Sequence, residues 1–162
     1  MTLILISIIS VLISSNLQHI LLYYKAIHTM ELQHAQVFQM EVLASQLVRN
    51  SNVSSHCILQ WDDANQAIQS LMNNKGCILV VGSRRFQYLL EDLGDFACLI
   101  VKSDNAKLST NHRRLTLMLA SEDKSKSNPI IQIRDIRAIA YQKCMVKESP
   151  ISLGISSWRL LS

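Results

Sequence analysis

The side chains here that could form bonds or move protons are four cysteines, Cys57, Cys77, Cys98 and Cys144, three early histidines, His19, His28 and His34, and scattered serines and carboxylates. Zinc sites are built from closely spaced pairs such as C-x-x-C, or from two histidines four residues apart on one helix face. No two of these cysteines have that spacing, and the histidines lie nine and six residues apart, which does not place them on one face as an i, i+4 pair does. Metal binding is therefore the weaker reading, and the histidines read as interfacial or surface groups. Nucleophilic catalysis has no better support, because the sequence contains no G-x-S-x-G elbow, Walker loop, dinucleotide fingerprint or H-E-x-x-H. The expectation is a chain with no catalytic, cofactor-binding or metal-ligating residues. The even number of cysteines points instead to two disulfides in a domain held outside a membrane, and four cysteines allow three connectivities.

The charge also narrows the class of partner. The formal net charge is +4. Lys25 and Arg49 cancel Glu31 and Glu41, so the excess lies in the rest of the chain, where Arg84-Arg85, Arg113-Arg114 and Lys124/Lys126 are the only pairs. A nucleic-acid groove interleaves basic residues with exposed aromatics, and aromatics are only 6% of the chain. That composition argues against DNA or RNA as the partner.

The element that must position everything else is the first. Met1 to Val48 contains neither glycine nor proline, and the first glycine is Gly76. Met1 to Ile13 is almost wholly apolar, Leu17 and Ile20 to Tyr24 continue it, and no charge appears before Lys25. Those 24 residues span roughly 36 Å as a helix, enough to cross a hydrocarbon core of about 30 Å. From Lys25 to Arg49 the pattern becomes amphipathic, with Ile27, Met30, Phe38, Val42 and Leu43 recurring among glutamines and glutamates at three- and four-residue spacings. Ser7, Ser10 and Ser14 place small hydroxyls on one face, where another helix could approach closely. The start lacks Lys or Arg and no small-residue cleavage site follows the apolar run, so this is no usual signal peptide and the helix is expected to be retained. Residues 1–24 are thus expected to be a transmembrane or filament-core half, 25–50 an amphipathic half, and 51–162 one small α+β head. The long helix accounts for much of the mean hydropathy of +0.17.

Beyond a polar break at Arg49 to Ser55, a second helix is expected from Asp62 to Asn74, capped by Asp62 or Asp63 and stopped by Asn73-Asn74-Lys75-Gly76. From Cys77 the period becomes strand-like. Strands are expected at Cys77 to Val81, Arg85 to Leu93, Phe96 to Lys102, His112 to Ala120, and Ile130 to Tyr141 with a bulge, while Ile155 to Leu160 closes the sheet. Ser121 to Pro129 reads as a polar loop, and Trp158 as a packed rather than an adhesive residue. Short consecutive strands imply an antiparallel sheet of about four or five strands packed on the amphipathic half of the helix.

With these elements in order, Met1-Thr2-Leu3-Ile4 and the apolar run behind it resemble the start of type IV pilins and of the pseudopilins of type II secretion. Their mature chains open with an aromatic or Met residue followed by Thr-Leu-Ile-Glu. YLLEDLG (Tyr88 to Gly94), HRRLTLML (His112 to Leu119) and SSWRLL (Ser156 to Leu161) look like the minor pilins called PilX, with the pseudopilin GspK a more distant comparison. The resemblance implies a pilin-like α+β fold and Met1 as the site of N-terminal processing and methylation. It also implies that Thr2, Leu5, Ser7, Ser10 and Ser14 take part in assembly. The basic leader and glycine of a prepilin peptidase site are missing, so the sequence is expected either to be the processed form or to begin at an internal Met.

Leu5 stands where the family has a glutamate. In the family, loss of that carboxylate is associated with the tip-most pseudopilin, so this subunit is expected to initiate, prime or cap a fibre rather than fill its shaft. The implied partners are other minor pilins and the major pilin through the N-terminal helix, the inner-membrane assembly platform, the membrane, and a surface ligand at the tip. The implied location is the bacterial inner membrane before assembly and the pilus surface afterwards. The alternative is a stand-alone single-pass membrane protein serving an envelope secretion complex.

The disulfides are expected to pair Cys57 with Cys77 and Cys98 with Cys144. The first bridge flanks one short helix and needs the segment from Cys57 to Trp61 to run back alongside it. The second joins residues in or beside strands, where neighbouring Cβ atoms come within about 5 Å. That second bridge also resembles the one that closes the C-terminal loop in many pilins.

Overall fold

The computed structural model of the chain describes residues 2–49, 57–59, 64–103, 106–120 and 128–161, without the side chains at 2, 3, 5, 8, 9, 11, 64 and 103. Met1, the break after Arg49, the expected cap at Asp62 or Asp63 and most of the Ser121 to Pro129 loop lie outside the described residues.

Helix α1 runs unbroken from Thr2 to Arg49. Its continuity follows from composition, since nothing in 48 residues removes a backbone donor or relaxes the backbone. The chain divides into two compact units, Met1–Gln39 and Met40–Ser162. In the first, large apolar side chains such as Ile4, Leu12, Leu17, Leu21, Leu22 and Tyr23 are exposed. In the second, Met40, Leu43, Ala44 and Val48 are buried at the three- and four-residue spacing of a single helix face. The last turn carries Arg49, and Arg137 donates to the Val48 carbonyl, so cationic groups meet the negative end of the helix dipole.

The remaining elements are β1 (Ile58–Leu59), α2 (Ala64–Met72), β2 (Cys77–Val81), β3 (Arg84–Ser103), β4 (Ala106–Leu119), β5 (Ile130–Ile139), β6 (Ser149–Pro150) and β7 (Gly154–Leu161). They form one seven-stranded sheet in the order β1-β3-β4-β5-β7, with β2 and β6 also on β3. The sheet is mixed, which corrects the expectation of four or five antiparallel strands. β2, β4, β5 and β7 pair antiparallel as the hairpin argument requires, but the two-residue strands β1 and β6 pair parallel with β3. Parallel pairing needs a crossover, and β1 has one because α2 and β2 lie between it and β3. Strands this short carry no readable alternation, so they were invisible in the sequence.

A second correction concerns β3. The segments Arg85 to Leu93 and Phe96 to Lys102 are one 20-residue strand, irregular between Asp92 and Gly94 and between Phe96 and Ile100. Gly94, with φ of 94°, bends the strand where a turn was expected, and its N–H is held by Asp92 Oδ1 at 3.0 Å.

Alternation sorts the sheet into two faces. Phe86, Leu90, Leu115, Leu117, Ile131 and Ile133 are buried on one. On the other, Leu89, Met118 and Ile130 form a buried cluster with Leu71 of α2, flanked by Leu59, Ile68 and Leu161. Helix α2 ends at Met72, two residues short of the Asn74 expected, and Asn74 in the turn that follows takes the left-handed φ of 56° that stops it. Gly76 follows so close to Leu71 that a Cβ there would collide with the Leu71 side chain.

Candidate functional site

The first group of expected site residues lies along α1. Met1 is outside the described residues, and Thr2 and Leu5 are helical with their side chains undescribed. Ser7, Ser10 and Ser14 are exposed. The Ser7 hydroxyl donates to the Ile4 carbonyl at 2.8 Å, satisfying itself within the helix. Ser10 and Ser14 line one shallow groove with Ser15 and Gln18. A second, apolar groove of about 410 Å³ follows, lined by His19, Ile20, Tyr23, Tyr24 and Ile27. The ring of Tyr24 stacks over His28 with centroids 6.4 Å apart. Among the described residues no helix is long and apolar enough to cross a membrane, and positions 2, 3, 5, 8, 9 and 11 of the apolar start are not among the described side chains. The first groove is lined by serine hydroxyls and a glutamine, and the second by apolar and aromatic side chains beside His19.

The second group is the cysteines. Cys57 pairs with Cys77 and Cys98 with Cys144, with Cα separations of 5.7 and 4.9 Å. Cys57 is buried, and the Tyr88 hydroxyl approaches its sulfur at 3.8 Å. The Cys98–Cys144 bridge anchors the segment that follows β5. The bridge ties that segment to β3, and the Gln142 N–H, donating to Ser109 Oγ at 2.7 Å, ties it to β4. Glu148 completes the fastening: Lys107 reaches it at 2.9 Å and the Tyr141 hydroxyl donates to it at 3.0 Å. Those bonds hold the Glu148 carboxyl below its ordinary range, while the same carboxylate raises Lys107.

The head also contains polar chemistry that the sequence reading did not find. Glu91 is wholly buried, and Arg114 grips it through two donors at 2.7 and 2.6 Å. Register then carries the row across the sheet: Glu91 opposes Arg114, Arg114 opposes Arg134, and Arg134 opposes Ser157. One step along, Gln132 opposes Arg159 on β7 and donates to Thr116 at 3.2 Å. Arg114, Gln132, Arg134, Ser157 and Arg159 line a cleft of about 110 Å³.

His112 lies on the same side as Arg114, buried beside Phe96 at 4.3 Å between centroids and 3.3 Å from the Thr110 hydroxyl. Burial, then the charge of Arg134, pushes its pKa below the ordinary 6.5. On the opposite side, Asn111 donates to Asp92 and Asp95 at 2.9 and 2.8 Å, and Arg137 contacts Asp135 at 3.0 Å. Trp158, expected to pack into the head, is instead exposed at 41% and opposes Ile133.

The alternation of β4 does place Arg114, Thr116 and Met118 on one face, and Arg113-Arg114 stands out as a basic pair. What turns these into a site is the cross-strand register, which no local pattern carries. Among the described residues no group of three His, Cys, Asp or Glu side chains could hold a metal ion. No protein-family model matches the chain, and neither a curated protein nor a solved structure is significantly similar to it.

Proposed function

We propose that this chain is a minor pilin or pseudopilin that initiates, primes or caps a type IV pilus or a type II secretion pseudopilus, with a structural and non-catalytic role. The observation that carries the reading is the division of labour along α1. One 48-residue helix leaves large apolar side chains from Ile4 to Leu32, and Phe38, exposed among the described residues, and begins to bury them at Met40. Exposed apolar area of this extent marks a surface that another apolar surface or a membrane covers. A bundle of like helices, or lipid before assembly, would supply that cover. The grooves along Ser10 to Ile27 give neighbouring helices places to seat.

On this reading residues 1–24 are the membrane-embedded or filament-core half. The partners are other minor pilins, the major pilin and the inner-membrane platform, and the head acts outside the cytoplasm. Both disulfides fit an oxidising compartment. Leu5, in place of a carboxylate that would be costly in lipid, suits a subunit used at the end of a fibre rather than along it.

The test combines deletion with imaging. Loss of the chain is expected to lower fibre number while the length of each remaining fibre is unchanged, and the tagged protein should sit at fibre ends. Labelling along whole filaments at high stoichiometry contradicts the tip assignment. Fibres unchanged in number, with the protein confined to the membrane, support the stand-alone single-pass reading instead.

A further inference from the structure

The row of arginines on β4, β5 and β7 is the feature of the head that the filament reading leaves unused. Like charges directly opposite on neighbouring strands are destabilising, yet Arg114 and Arg134 occupy that relation. The first of them is neutralised, because buried Glu91 takes two of its donors. Arg134 and Arg159 are not: both are exposed, and no carboxylate contacts their guanidinium groups among the described residues. Since Arg134 opposes Ser157 and Arg159 opposes Gln132, the two arginines are diagonal neighbours on one face, about 7 to 8 Å apart by sheet geometry. That is within the reach of two long side chains toward a common point.

We infer that this cleft binds a doubly charged tetrahedral oxyanion, a phosphate or sulfate group, gripped by the forks of Arg134 and Arg159 with the Ser157 hydroxyl as a further donor. The charge count selects this class. With Glu91 and Arg114 paired, the described residues of the cleft leave the positive charges of Arg134 and Arg159, which a dianion balances and a single carboxylate leaves half unmet. Guanidinium forks match the oxygens of such a group two at a time. The cleft of about 110 Å³ is a polar, partly open recess with no carboxylate among the described residues that line it. Strand β7 is the last in the sheet order, so the recess lies at a sheet margin, where an anion carried on a larger molecule can enter. None of this depends on the chain being a pilin.

The experiment is calorimetric titration of the full chain in detergent with inorganic phosphate, phenyl phosphate and acetate, each at constant ionic strength. One equivalent of phosphate is expected to bind, and acetate more weakly. Arg134→Gln with Arg159→Gln is expected to weaken phosphate by about tenfold or more, as loss of two charge-assisted partners implies. Lys107→Gln, distant from the cleft, should leave binding unchanged. Binding of inorganic phosphate but not phenyl phosphate assigns a free ion as the ligand, whereas binding of both assigns a phosphorylated group on a larger molecule. Phosphate affinity equal in the double variant, or acetate binding as tightly as phosphate, overturns the inference.

Discussion

Glu91 is the side chain on which the head's polar interior turns. It is fully buried, and its two oxygens are held by Arg114. Removing one partner of such a pair strands a charge out of water, whereas replacing both with apolar residues of similar volume is far less damaging. Arg114→Leu is therefore expected to cost about 3 to 5 kcal/mol in denaturant unfolding. Glu91→Leu with Arg114→Leu should recover most of that loss. A double variant as damaged as the single one would refute this account of the pair.

His112 gives the head a pH dependence of definite sign. Its folded pKa is depressed, by burial and then by Arg134, so the unfolded chain takes up its proton first as the pH falls. The associated stability is fully present above the ordinary value of 6.5 and declines as pH drops below it. Thermal unfolding from pH 7.5 to 5 should show that decline, and His112→Gln should flatten it. A slope unchanged in the variant would transfer the effect to another group.

At the scale of the element, the two disulfides close loops of different length. Cys57 and Cys77 are 20 residues apart and Cys98 and Cys144 are 46 apart. By the chain-entropy model the first contributes about 3 kcal/mol and the second about 4 kcal/mol. Serine pairs at each bridge should follow that order in guanidinium unfolding, and the reverse order would place strain or local packing above loop length. Helix α2 makes a sharper demand, because its hold on the sheet passes through Leu71, which is buried against Leu89, Met118 and Ile130. Leu71→Ala should cost about 2 to 5 kcal/mol. Gly76→Ala should also destabilise, since its Cβ meets the same side chain.

Across the whole molecule, the burial pattern separates what folds the head from what α1 presents. Among the described residues the buried ones begin at Met40, and the large apolar residues before it are exposed except for half-buried Val37. Removing residues 1–24 should therefore shift the melting temperature of the head by only a few degrees, the effect of about 1 kcal/mol or less. It should also abolish partitioning into detergent. Precipitation or loss of cooperative unfolding in the shortened chain would mean that the first half of the helix contributes to folding after all. Leu5→Glu tests the assembly reading without touching the head: the variant should be incorporated poorly, or appear along the shaft instead of at the end.

The sequence by itself determined whatever depends on neighbours a few residues apart. Forty-eight residues without glycine or proline dictate an unbroken helix, the alternation of HRRLTLML dictates a strand with Arg114 and the leucines on opposite faces, and the Asn73-Asn74-Lys75-Gly76 run supplies the stop behind α2. These follow from repeats of 3.6 and 2 residues built into the backbone. Only the tertiary structure decided that β1 and β6 join β3 in parallel, that a bulge at Gly94 merges two expected strands into one, and that Glu91, Arg114, Arg134 and Ser157 form a single row. Register between strands is a non-local quantity. A slip of one residue sends every side chain to the other face, so bulges and chain crossings rather than local pattern set which charges meet.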